Sequence, residues 1–114
     1  VLGGRVRPAT FSTVGAKTAA EVADYNASVS FIGANGVSFE GGVAAFDTDE
    51  AQVKKLMMQR SGERILLADS SKFGTSYPAR FADFKDFDRL VTDIEADQEY
   101  INEFSSAGVH IALA

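Results

Sequence analysis

The sequence predicts an α/β domain built on a mostly parallel sheet with helices on its faces. Short apolar runs of strand length recur along the chain, and amphipathic stretches of helical period separate them. Glycines and helix-starting acids or hydroxyls mark the boundaries between the two. Strands joined through helices pair in parallel, because a parallel neighbour needs a crossover long enough to hold a helix.

Val1-Leu-Gly-Gly-Arg5 reads as the end of a strand running into a glycine turn. A domain that opens in mid-element is expected to be a fragment. Thr10 to Val14 alternates as a strand and Gly15 closes it. Thr18-Ala-Ala-Glu21 matches a capping box, with Val22, Ala23 and Tyr25 as a short apolar face. Val29 to Ile32 is a second strand, ending in Gly33-Ala-Asn-Gly36. Asp47, with Glu50 three residues on, starts a helix that places Val53, Leu56 and Met57 at core spacing and stops near Gly62. Ile65 to Ala68 has the length of a buried strand. Ser76 to Phe81 contains Pro78 and suits a sheet edge. Leu90 to Thr92 is another strand. A helix from about Asp97 turns Tyr100, Ile101 and Phe104 inward and stops at Gly108, and Val109 to Leu113 is the last strand. No internal repeat or low-complexity linker is visible.

The 114 residues suffice for one domain with a modest core, and 46% apolar against 24% charged residues is a globular balance. The absence of cysteine excludes disulfides, thiolate metal sites and a cysteine nucleophile, and it fits a cytoplasmic location. No apolar stretch approaches the length of a membrane span, so no membrane partner is expected. Lys and Arg total 11 against 16 Asp and Glu, for a net charge of −5. A surface of that sign repels a phosphate backbone, so any DNA binding is expected from a part outside these residues.

The strand from Ile65 runs into Asp69-Ser-Ser-Lys72-Phe-Gly74. In an open α/β sheet, ligands sit beyond the carboxyl ends of the strands. There Ser70, Ser71 and Lys72 can donate to a phosphate or sugar, and Asp69 can accept from a sugar hydroxyl. A solvated turn after a buried strand accounts for the same residues. Gly33-Ala-Asn35-Gly36 lets a ligand approach the backbone and adds one amide. Gly41-Gly42 adds backbone N–H groups ahead of the Asp47 helix. Neither a Walker loop nor a Gly-x-Gly-x-x-Gly fingerprint is present.

Val1-Leu-Gly-Gly-Arg-Val-Arg7, Phe31-Ile-Gly-Ala-Asn-Gly-Val37 with Glu40-Gly-Gly42, Leu67-Ala-Asp-Ser-Ser-Lys-Phe-Gly74 and Leu90-Val-Thr-Asp93 resemble the effector-sensing domain of DeoR-family bacterial transcriptional regulators. The resemblance covers essentially the whole chain. It implies a Rossmann-like fold related to ribose-5-phosphate isomerase and the acyl-coenzyme A transferases. The function it implies is that of a repressor's sensor for a phosphorylated sugar or related intermediate. Operator DNA would be bound only by a separate N-terminal winged helix-turn-helix domain, absent from this chain, and the regulator would be a homo-oligomer. The strand and Gly-Thr-Thr loop that open such sensors have no match here. Residues 1–114 are therefore expected to be the C-terminal part of the sensor.

By the same resemblance, Asn35 and Gly36 line the sugar, and Gly41 and Gly42 allow close backbone approach. Asp69 accepts from hydroxyls, Ser71 belongs to the same effector-binding set, and Lys72 meets the anionic group or a sugar oxygen. Arg5 and Arg7 either add positive charge near the pocket mouth or serve surface solubility. No catalytic residue, metal or cofactor is expected. The rival class is a sugar-phosphate isomerase, which needs a proton-abstracting carboxylate; Asn35 cannot serve, and only Asp69 and Glu50 are at hand. Glu50 is more simply the capping partner of Asp47. His110, on an apolar strand, and the Asp93-x-Glu95-x-Asp97-x-Glu99 run suit local structure and helix capping better than metal binding. Phe81, Phe84 and Phe87 form an aromatic stripe suited to a core or a subunit interface.

Overall fold

The computed structural model describes residues 27–114, together with the backbone of residues 5–7 and 12–14. Strands β1 (Arg5–Arg7) and β2 (Ser12–Val14) pair antiparallel. The predicted capping box at Thr18–Glu21 and the opening Val1–Gly4 lie outside the described residues.

The main sheet is parallel, with strand order β3 (Ala27–Gly33), β6 (Ser61–Leu67), β8 (Arg89–Thr92), β9 (His110–Leu113). Gly33 pairs with Leu67, Leu67 with Val91, and Val91 with Ala112, so the four strands end within one residue of each other. The predicted α/β architecture is therefore present, and β6 begins four residues earlier than its apolar run. Gly62 lies inside β6 and does not stop the preceding helix, which ends at Gln59 with Arg60 as its cap. Backbone pairing with β3, including Ala27 to Ser61, carries the polar residues Ser61 to Arg64 into the sheet.

A second sheet was not legible as such. β4 (Gly36–Ser38), β5 (Gly42–Ala45) and β7 (Ala79–Ala82) pair antiparallel in that order. Pro78 directly precedes β7, an edge strand as expected. The two glycine pairs read as ligand loops are the base and tip of the β4–β5 hairpin. Gly36 is buried in β4, and a Cβ there would lie 2.2 Å from the Thr75 carbonyl oxygen. Gly42 holds φ +65° at the hairpin turn. The Gly41 N–H donates to the buried Ser38 hydroxyl at 2.8 Å. Strand β5 separates both glycines from the Asp47 helix, so their N–H groups do not lead into its N-terminus.

Helix α1 (Thr48–Gln59) starts as expected, with Asp47 Oδ1 accepting from the Glu50 N–H at 3.0 Å. Its core contacts differ from the periodic reading. Ala51 and Met58 are buried, whereas Val53, Leu56 and Met57 are half-buried. The helix lies over β3 and against β5 and β7, so apolar residues are shared between two contact directions. Helix α2 (Gln98–Ser106) buries Tyr100 and Phe104, with Ile101 half-buried, and the chain turns out at Gly108 with φ +89°. Asp97 caps it, accepting from the Glu99 N–H. Ile32, Leu66 and Leu90 meet both helices in one core. Phe81 and Phe87 belong to that core, and Phe84 stacks on Phe104 at 4.3 Å, so the aromatic stripe is internal packing.

Candidate functional site at the carboxyl ends of the parallel strands

Gly33, Leu67 and Val91 lie side by side on β3, β6 and β8, so the residues two positions on from each emerge as a row: Asn35, Asp69 and Asp93. The Asp69 carboxylate caps a one-turn 3₁₀ helix (Ser70–Lys72), with Oδ1 accepting from both the N–H and the hydroxyl of Ser71. Asp93 Oδ2 accepts from the Ser70 N–H at 2.8 Å, and its Oδ1 accepts from the Glu95 N–H. The turn is held from below as well. Phe73 packs against Tyr100 and Phe104, with centroids 5.3 and 6.4 Å away. Gly74, at φ +87°, donates its N–H to the Val37 carbonyl at 2.7 Å. Lys72 thus projects from a turn fixed at both ends and makes no ion pair among the described residues.

Hydrogen bonds from Ser71 hold the Asp69 carboxyl below the usual carboxylate range, and those from Ser70 and Glu95 do the same for Asp93. Both groups are anions that accept. Asn35 is committed differently. Its Oδ1 accepts from the Phe46 N–H at 3.0 Å, and its own N–H donates to the Ala44 carbonyl. The Phe46 N–H donor fixes the amide orientation and leaves the side-chain NH₂, a donor, with no hydrogen-bond partner among the described residues.

The structure thus brings Asn35, Asp69, Ser71 and Lys72 to one edge. It uses Gly36, Gly41 and Gly42 for chain-on-chain contacts. Gly41 and Gly42 lie at the hairpin's far end, about 7 Å along the strand from its base. Arg5 and Arg7 lie on β1, outside the described side chains. His110 is exposed on β9.

Two further residues at this edge were missed. Lys54 on α1 donates from Nζ to the Gly33 carbonyl at 2.7 Å, the last carbonyl of β3, and lies 5.5 Å from the Phe81 ring centroid. Burial pushes its ammonium below the ordinary lysine value, opposed by the nearby Glu50. The sequence held no signal for it, because only the structure shows Ala51, three residues earlier, turned toward the core. Thr92 borders a cleft of about 300 Å³ between the ends of β6 and β8, with Leu67, Asp69, Val91 and Asp93. Its Oγ1 is buried without a hydrogen-bond partner among the described residues. Among those residues, no group of acids and histidine is arranged to hold a metal.

Residues 1–94 match the family model described as the DeoR C-terminal sensor domain. The chain belongs to that family. DeoR-family proteins similar to it include the HTH-type transcriptional regulator GlpR of Haloferax volcanii, 32% identical over 96% of this chain and 43% of the relative. The HTH-type transcriptional regulator IolR of Bacillus subtilis is 33% identical over 98% of the chain and 45% of the relative. The deoxyribose operon repressor of Escherichia coli K12 is 37% identical over 64% of the chain and 29% of the relative. The chain therefore spans less than half the length of these curated regulators. The family is one of transcriptional regulators and is non-enzymatic, which sets aside the isomerase reading. Among the described residues, no helix of the sensor domain is long and apolar enough to cross a membrane.

Proposed function

We propose that this chain is the C-terminal part of a sensor that binds a phosphorylated sugar at the carboxyl ends of β3 and β6. Binding there controls a separate winged helix-turn-helix domain in the same cytoplasmic, homo-oligomeric regulator. The observation that carries this reading is the row of Asn35, Asp69 and the fixed Ser70–Lys72 turn on adjacent level strand ends. Asp69 accepts from sugar hydroxyls, the Asn35 amide donates to oxygen, and Lys72 neutralises the phosphate. The name of the deoxyribose operon repressor supports a sugar-pathway ligand. The control is linkage: the effector prefers one conformation and shifts the DNA-binding equilibrium by that difference in affinity.

A thermal-shift panel of phosphorylated sugars beside their unphosphorylated forms tests the reading. Ligand at a hundred times its Kd stabilises the native state by about 2.7 kcal/mol. The expected result is stabilisation by a phosphorylated sugar alone, lost in Lys72→Ala while the unliganded melting temperature stays unchanged. Equal stabilisation by both forms, or an undiminished response in Lys72→Ala, overturns it.

A further inference from the structure

Large apolar side chains scattered over a surface are ordinary, but an exposed ring tied to a binding group is not scattered. Phe46, just beyond the end of β5, is 44% exposed. Its ring meets that of Tyr77 edge to face, with centroids 5.0 Å apart and planes at 82°. A contact of this kind uses the edge of one ring and one face of the other. Both rings are anchored at the base of the β4–β5 hairpin. The Phe46 N–H donates to Asn35 Oδ1 at 3.0 Å, and the Tyr77 ring edge lies against Gly36, where a Cβ would stand 2.6 Å from Tyr77 Cδ2. One hydrogen bond therefore joins the residue with the unpartnered NH₂ to the residue with the exposed ring. The lysine turn reaches the same place. A parallel bridge pairs Val37 with Phe73 and brings the residue before each, Gly36 and Lys72, toward one another.

We propose that Phe46 and Tyr77 form an aromatic wall of the effector site, and that this wall selects a closed-ring sugar phosphate over an open-chain one. The proposal rests on the sensor reading above and narrows its ligand class. A closed sugar ring carries hydroxyls at its rim and C–H groups on a face. That face stacks on an aromatic ring through many small dispersion contacts, with its C–H groups directed at the electron-rich π surface. In this pose the rim hydroxyls meet Asn35 and Asp69, and the phosphate meets Lys72. A polyol phosphate offers the same hydroxyls and the same anion. It has no flat apolar face, and its open chain loses more conformational freedom when bound.

Calorimetric titration of the full-length regulator tests this with matched probes. These are ribose, glucose and fructose phosphorylated at the terminal carbon, each beside the polyol phosphate made by reducing its carbonyl. Reduction removes ring closure and leaves the phosphate in place. The expected result is that a closed-ring probe binds about tenfold more tightly than its polyol, a preference that falls to about twofold or less in Phe46→Ala and is kept in Phe46→Tyr. Lys72→Ala should weaken both members of a pair alike, which separates the anion contact from the wall. Equal binding of sugar and polyol by the parent overturns the proposal, as does a preference that survives Phe46→Ala. In both cases binding that still depends on Lys72 leaves the sensor reading standing. Binding of no probe by the parent overturns both. A change of oligomer mass in Phe46→Ala, with the ring preference intact, overturns the wall and makes the aromatic pair a subunit contact.

Discussion

Replacing Gly36 by alanine separates two reasons for a glycine at one position. A Cβ built on Gly36 lies 2.2 Å from the Thr75 carbonyl oxygen and 2.6 Å from Tyr77 Cδ2. Ordinary contact begins near 3.4 Å, so the Thr75 backbone or β4 must move by more than 1 Å. A ring edge can swing aside, but a carbonyl in a loop anchored between Gly74 and β7 cannot. Overpacking of this kind costs about 1–3 kcal/mol, and a backbone obstacle places it at the upper end. Restricting the unfolded chain returns about 0.4–1 kcal/mol, leaving a net loss of about 2 kcal/mol. At about 2.1 cal/mol/K per residue, the 114 residues convert this to a fall of about 8 °C in melting temperature. Gly33→Ala is the control. Nothing lies within 4 Å of its added Cβ and its φ is not positive, so its melting temperature should hold or rise slightly. Calorimetry reads both. If Gly36→Ala melts at or above the parent temperature while losing effector response, ligand approach is the reason for the glycine and the packing account is wrong.

Phe104 is fully buried and stacks on Phe84, so Phe104→Ala should cost about 3–5 kcal/mol, read as a lower denaturant midpoint. A loss below about 1 kcal/mol would show that the aromatic cluster is not a rigid support for the Ser70–Lys72 turn. The Asp69 and Asp93 carboxyls are held below their ordinary range by hydrogen bonds. Their contribution is complete above the unfolded aspartate value of about 4 and is lost as pH falls through the lower folded values. Asp69→Asn with Asp93→Asn should therefore flatten the decline in stability below pH ~4, measured by urea titration across acid pH. An unchanged acid slope would mean that other carboxylates govern it.

Elements governed by neighbours in sequence were legible from the chain alone. The Asp47 and Asp97 caps, the stop at Gly108 and the inward Tyr100 and Phe104 depend on contacts within a few residues, and the structure places them as read. The parallel sheet also followed from local pattern, since alternating strands and helices leave few other ways to bury both. Asp69, Ser71 and Lys72 were recognisable as a strand-end cluster for the same reason. The tertiary structure decided what local pattern cannot carry. The Gly36 and Gly41–Gly42 pairs have the composition of ligand loops, and only the approach of Thr75, 39 residues from Gly36, makes a packed hairpin of the first. Lys54 carries no distinguishing local pattern, and only the end of β3 beside it gives its Nζ the Gly33 carbonyl. The exposure of Phe31 and Leu67 was invisible as well, because an apolar strand residue reads as buried whether or not anything covers it. Backbone geometry is set by neighbouring residues, but which surfaces meet is set by pairings between distant ones, and those pairings give each strand end and each glycine its task.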